Sequence, residues 1–238
     1  MKTFLITVYY ELLTFLRVKV AVFFSFIFPV FIYVVFNLIW GTDMPAYARF
    51  LLTGVLVMTT LSDALFSVGN VVTEYEQSGE IRFFKVIPYP FGRLILALLV
   101  SRLVLILASS LLVIGVGCCF FGVTLTASEA GFLALGLVSG FILFSFLGVL
   151  LGLSAKNRLM GVALTNFIFF ILLFLSDTFY PMTELNPELG RWVSWLPIAP
   201  VLALTRGHAS AFFFVLLWIA ILAVGFSLVW KKKKAERA

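Results

Sequence analysis

GFLALGLVSGFILFSFLGVLLGL, running from Gly131 to Leu153, contains no charged residue and exceeds the ~20 apolar residues that one helix needs to cross a bilayer. Similar runs lie on both sides of it. A window of about 19 residues predicts six spans, Val18 to Trp40, Phe50 to Val72, Leu94 to Phe121, Gly131 to Leu153, Met160 to Leu175 and Ala211 to Trp230. Composition agrees: 63% of the 238 residues are apolar and 12% charged, against roughly 45–50% and 25% in soluble domains. A water-soluble enzyme of this size has no way to bury so much apolar surface. The reading is therefore an all-α integral membrane protein, organised as a single transmembrane domain over 1–238.

Lysines and arginines orient the spans, because they concentrate on the cytoplasmic side while acidic residues contribute little. Alternation across six spans puts Lys2, Arg17, Lys19, Arg82, Lys85, Arg93, Lys156, Arg158, Lys231 to Lys234 and Arg237 on one side. Arg49, Arg191 and Arg206 fall on the other, thirteen against three, so both termini are expected in the cytoplasm. The net charge of +6 includes the Lys231 to Lys234 run directly after a span, which points to membrane lipid rather than nucleic acid. Residues 1–17 place Thr3, Thr7, Glu11 and Thr14 on one helical face and Leu5, Tyr9, Leu12 and Leu16 on the opposite one, the pattern of an interfacial amphipathic helix. The neighbouring Cys118 and Cys119 exclude a disulfide framework.

Two charges fall inside spans, where each costs at least ~2.5 kcal/mol at mid-bilayer unless paired or wet. Asp63 and Arg102 both lie roughly 12–14 Å from the inner ends of spans two and three. An ion pair between them is expected, as a brace or as a contact for substrate or ion. Pro29 is expected to kink span one, its freed carbonyl being satisfied by a neighbouring span or water. In span four, Gly136-x-x-x-Gly140 and Gly148-x-x-x-Gly152 predict close helix packing. The sole histidine, His208, has no companion to make a metal site, and it lies far from the mid-span Ser145, which argues against an intramembrane serine hydrolase.

Two segments lie outside the spans. Thr73 to Arg93, TEYEQSGEIRFFKVIPYPFGR, mixes charges with exposed-type apolar residues and ends at Pro88, as a docking helix does, although Phe83 and Phe84 dipping into the bilayer interface would read the same. Its run Glu74-x-Glu76-x-x-Gly79, with Pro88 nine residues on, resembles the segment after the second span in permease subunits of the type-2 ATP-binding-cassette exporter family. Ser176 to Arg206, with Phe179-Tyr180-Pro181, Leu185, Pro187, Trp192, Pro197 and Pro200, resembles the outer segment between spans five and six of that family. The likeness covers essentially the whole chain.

What the resemblance implies is a half-transporter with a cytoplasmic coupling helix over 73–90 between spans two and three and an outer re-entrant segment over 176–210. Glu74, Glu76, Gly79, Glu80, Arg82, Phe83, Phe84, Lys85 and Pro88 would then meet a separate ABC ATPase. Lys156 and Arg158, in the turn between spans four and five, are a second contact with it or lipid anchors. The chain carries no G-x-x-x-x-G-K-[ST] phosphate loop, so no catalytic residue and no cofactor is assigned to it, and ATP and Mg belong to the partner subunit. A second permease copy or homologue completes the complex, in the inner membrane of a prokaryote. Asn166, Phe167, Phe170 and Phe174 on span five are the candidate pathway lining for a hydrophobic or amphipathic export substrate, although helix packing at spacings of three and four would read the same for the three rings. The alternative is an ion-gradient-coupled carrier that uses Asp63.

Overall fold

The computed structural model describes residues 2–40, 45–69, 71, 74, 91–155 and 157–235. Helix α1 (Lys2–Arg17) stops at Val18, whose φ of −87° and ψ of 89° break the chain before α2 (Lys19–Trp40). There follow α3 (Ala46–Gly69), α4 (Phe91–Phe121), α5 (Ala127–Ser154) and α6 (Arg158–Phe174). Three short helices, α7 (Met182–Leu185), α8 (Pro187–Val193) and α9 (Ile198–Thr205), precede the last, α10 (Ala211–Ala235). No strand occurs among the described residues.

Among the described residues five helices, α2 to α5 and α10, are long and apolar enough to span a membrane. The fifth expected crossing is present as α6, but its 17 residues rise only ~25 Å, short of a ~30 Å hydrocarbon core. Local polar chemistry ends it: the Ser176 hydroxyl donates to the Leu173 carbonyl at 3.0 Å and lies 2.7 Å from that of Thr178, and Asp177 Oδ1 accepts from the Met182 N–H at 2.8 Å.

The bundle is built around α3, which has 83% of its apolar window buried against 11% in α10. Small residues permit this. A Cβ on Gly69 would lie 2.8 Å from the Gly148 backbone, so α3 and α5 touch main chain to main chain. The Thr178 carbonyl likewise sits directly on Gly54 of α3. Gly136 and Gly140 face Thr205 and Val201 of α9, the latter 2.6 Å from where a Cβ would be. This drives α9 into the bundle, burying Ile198, Val201, Leu202 and Leu204, and makes the chain after α6 fold back into the bundle. Trp218, mid-way along α10, packs against the core as a half-buried ring.

Both ends of the bundle carry charge. At one, Arg49 pairs with Glu129 at 2.9 Å, beside Arg206 and Asp177; here Thr126 and Glu129 cap α5 reciprocally. At the other, α5 and α6 meet and α10 delivers Lys231, since Phe226 packs on Phe146. The charge distribution along the chain predicts this same division.

Candidate functional site

Of the residues assigned to ATPase contact, Glu76, Gly79, Glu80, Arg82, Phe83, Phe84, Lys85, Pro88 and Lys156 lie outside the described residues. Glu74 and Arg158 are described, and their side chains meet at 3.1 Å. Both are well exposed, so the pair contributes at most about 1 kcal/mol. Its value is positional, because it places the flank of the 73–90 segment beside the turn between α5 and α6.

Within the bundle, the expected Asp63–Arg102 salt bridge is absent. Among the described residues the ion pairs within 4.0 Å are Arg49–Glu129 and Arg158–Glu74. Asp63 Oδ1 instead accepts from the hydroxyls of Ser25 at 3.2 Å and Ser67 at 3.5 Å, while Asp63 Oδ2 has no hydrogen-bond partner. Arg102 leans the other way, its guanidinium carbon 4.5 Å from the centroid of Phe15 on α1, with Nε and Nη1 buried and unbonded. The physical reason is α1. Its Val8 and Phe15 turn inward against α4, and Glu11, on the polar face, is half-buried with them, while Leu5, Tyr9 and Leu16 stay exposed. Burial raises the Glu11 carboxyl above its ordinary 4.5, and the Arg102 charge works against that rise. Arg102 is thus shared between α1 and the bundle core. The 31 residues of α4 rise ~46 Å, well over a ~30 Å core, so a position eleven residues into it need not be deep.

The polar cluster coincides with two π turns, Phe23–Ile27 in α2 and Asp63–Gly69 in α3. The first follows from Pro29. Proline has no N–H to give the carbonyl four residues earlier, that of Ser25, and the hydroxyl of Ser109 on α4 supplies the missing donor. The same Ser25 turns its own hydroxyl to Asp63. Sequence reasoning anticipated that some neighbour would satisfy this carbonyl, and missed Ser25, Ser67 and Ser109 by name. Two spacings mark them: Ser25 stands four residues before a mid-span proline, and Ser67 one helical turn after Asp63.

On α6, Asn166 Nδ2 donates to the Val162 carbonyl at 3.0 Å, which leaves Phe167, Phe170 and Phe174 as the notable face. They are 52–62% exposed, with Phe170 stacked on Phe174, whereas Phe169 turns inward onto Phe66. Packing inside this chain therefore does not account for them. Ser145 donates to the Phe141 carbonyl at 2.7 Å, and His208 Nδ1 lies 3.1 Å from the Ala203 carbonyl at the far end of the bundle. Nucleophile and base are not brought together.

Against known proteins, the family model described as ABC-2 type transporter matches residues 2–213. No curated protein matches the chain.

Proposed function

The chain belongs to the ABC-2 type transporter family, and from that premise we propose that it is the permease half of an ATP-driven exporter. Membership makes it a multi-pass membrane permease, and the family works with an ABC ATPase subunit. In this reading residues 1–238 form one permease domain with both termini in the cytoplasm of a prokaryote. The 73–90 segment is the coupling helix, a second copy or homologue completes the pathway, and ATP and Mg are held by the partner. The cargo is hydrophobic or amphipathic and leaves the cytoplasm along a face that includes Asn166, Phe167, Phe170 and Phe174. Support for that lining is the outward exposure of the three rings.

The observation that carries the coupling assignment is the Glu74–Arg158 contact. One ATPase cleft can grip both regions only if they share an end of the bundle, and this contact is what supports it. Co-purification with a co-expressed ABC ATPase subunit tests the reading. Wild-type permease is expected to bring down the ATPase and Phe83→Asp to lose it, with α-helical content unchanged. Equal recovery by both would overturn the reading. So would transport at full rate without the ATPase, the behaviour of a gradient-coupled carrier using Asp63.

A further inference from the structure

At the end of the bundle opposite Arg158, a cavity of about 470 Å³ opens between α3, the α4–α5 connection and the C-terminal end of α9. Two guanidinium groups line it. Arg49 is committed: it donates to Glu129 Oε1 at 2.9 Å and to the Thr124 carbonyl at 2.7 Å. Arg206 is not neutralised. Its Nε donates to Thr53 Oγ1 at 3.2 Å and one Nη to the Asp177 backbone carbonyl, and its plane lies 3.9 Å over the Phe50 ring. No carboxylate among the described residues comes within 4.0 Å of it. Burial pushes this group down to about 10, opposed by the more distant Asp177 charge.

A guanidinium carries five N–H donors in a rigid fork, and the contacts made by Arg206 use only part of that fork. A partly buried cation with no carboxylate in direct contact favours an anion beside it. The wall is pre-organised for one: Phe50 fixes the guanidinium plane and Thr53 and Asp177 fix its rotation, so an arriving ligand costs little side-chain entropy. The cavity is wide for a bare ion, and its other wall, Val123 and Leu133, is apolar. Of the charged residues that line the cavity two are cations and one, Glu129, is a carboxylate, which competes with any ligand for Arg49. We infer that this cavity binds a phosphate oxyanion through Arg206, with Arg49 recruited as a second donor when Glu129 releases it. A phosphate of this kind comes from a phospholipid headgroup in the facing leaflet or from a soluble phosphate. The site does not depend on the ATPase assignment.

The experiment uses the full chain in two arms. Native mass spectrometry counts phosphatidylglycerol retained from mixed phosphatidylglycerol and dodecyl maltoside micelles, and calorimetry measures inorganic phosphate binding to the chain in lipid-free dodecyl maltoside micelles. Each is run on wild type, Arg206→Gln and Glu129→Gln. Lysines at the opposite end hold lipid equally in all three and cancel. In whichever arm supplies the ligand, Arg206→Gln is expected to weaken binding about tenfold or more, as loss of a charge-assisted donor does. Glu129→Gln preserves the α5 cap, because glutamine also serves at that position, and is expected to tighten binding several-fold by freeing Arg49. A misfolded protein cannot give that gain. Binding in the first arm alone identifies a lipid site and in the second a soluble phosphate site. Saturable binding absent from both arms, or identical across the three proteins, overturns the inference.

Discussion

Replacing Gly69 by alanine adds one methyl where α3 and α5 share backbone contact. That methyl would lie 2.8 Å from the carbonyl carbon and oxygen of Gly148 and 3.0 Å from its Cα. Ordinary carbon contacts begin near 3.4 Å, so the helices must part by more than half an ångström, and neither neighbour is a side chain able to rotate away. Overpacking of this kind costs about 1–3 kcal/mol. Alanine's better helix propensity returns ~1 kcal/mol at most, leaving a net loss. Gly148→Ala meets Ala64 O and Leu65 Cα at 3.1 Å and should cost less. Gly115→Ala on α4 meets nothing within 4 Å, so only the propensity gain remains. The assay is thermal unfolding in one detergent, followed by tryptophan fluorescence and size exclusion. Gly69→Ala, with a net loss of up to ~2 kcal/mol, is expected to lower Tm by up to ~4–8 °C, at about 2–4 °C per kcal/mol for a chain of this size, and Gly115→Ala to leave it unchanged or raise it. If Gly69→Ala melts no lower than Gly115→Ala, the α3–α5 backbone contact does not exist and the packing described around α3 is wrong.

Ser109→Ala leaves the Ser25 carbonyl without its donor and should cost about 1 kcal/mol; Pro29→Ala restores an N–H to that same carbonyl, so the Ser109 loss should shrink in the Pro29→Ala background, and additive effects in this double-mutant cycle would contradict the assignment. For Glu11, whose carboxyl is raised above 4.5 in the folded chain, the unfolded chain loses its proton first as pH rises. Its contribution to stability is therefore greatest below pH 4.5 and declines as pH climbs towards the raised value. Glu11→Gln should remove that part of the slope of Tm against pH, and an unchanged slope would show that the group is not buried against α4. Glu74→Gln, removing an exposed pair, is expected to shift Tm by no more than ~2–4 °C, the equivalent of ~1 kcal/mol; a larger fall would mean that the turn between α5 and α6 depends on it.

The helices were legible because a bilayer tolerates no unpaired backbone, so an uncharged run such as Gly131 to Leu153 has no alternative to helix. Glycine spacing along α5 foretold close packing, but a one-dimensional pattern names no partner; that Gly136 and Gly140 receive α9 while Gly148 receives α3 depends on how the chain after α6 folds back. The shortness of α6 was written in Ser176, Asp177 and Thr178, whose side chains compete for backbone groups, yet a hydropathy window averages over them. Asp63 and Arg102 were placed at matching depth by counting residues. Counting does not see that Phe15 and Glu11 of a helix outside the spans reach the same level and draw the arginine aside.

As a coupling helix, residues 73–90 would face the cytoplasm and be held there by an ATPase. A single cysteine at position 79, introduced as Gly79→Cys after Cys118 and Cys119, both exposed, have been replaced by serine, gives the most direct measurement with a membrane-impermeant maleimide. No labelling is expected in intact cells, with labelling in inside-out vesicles and protection when the ATPase is bound. Labelling from outside intact cells would contradict it.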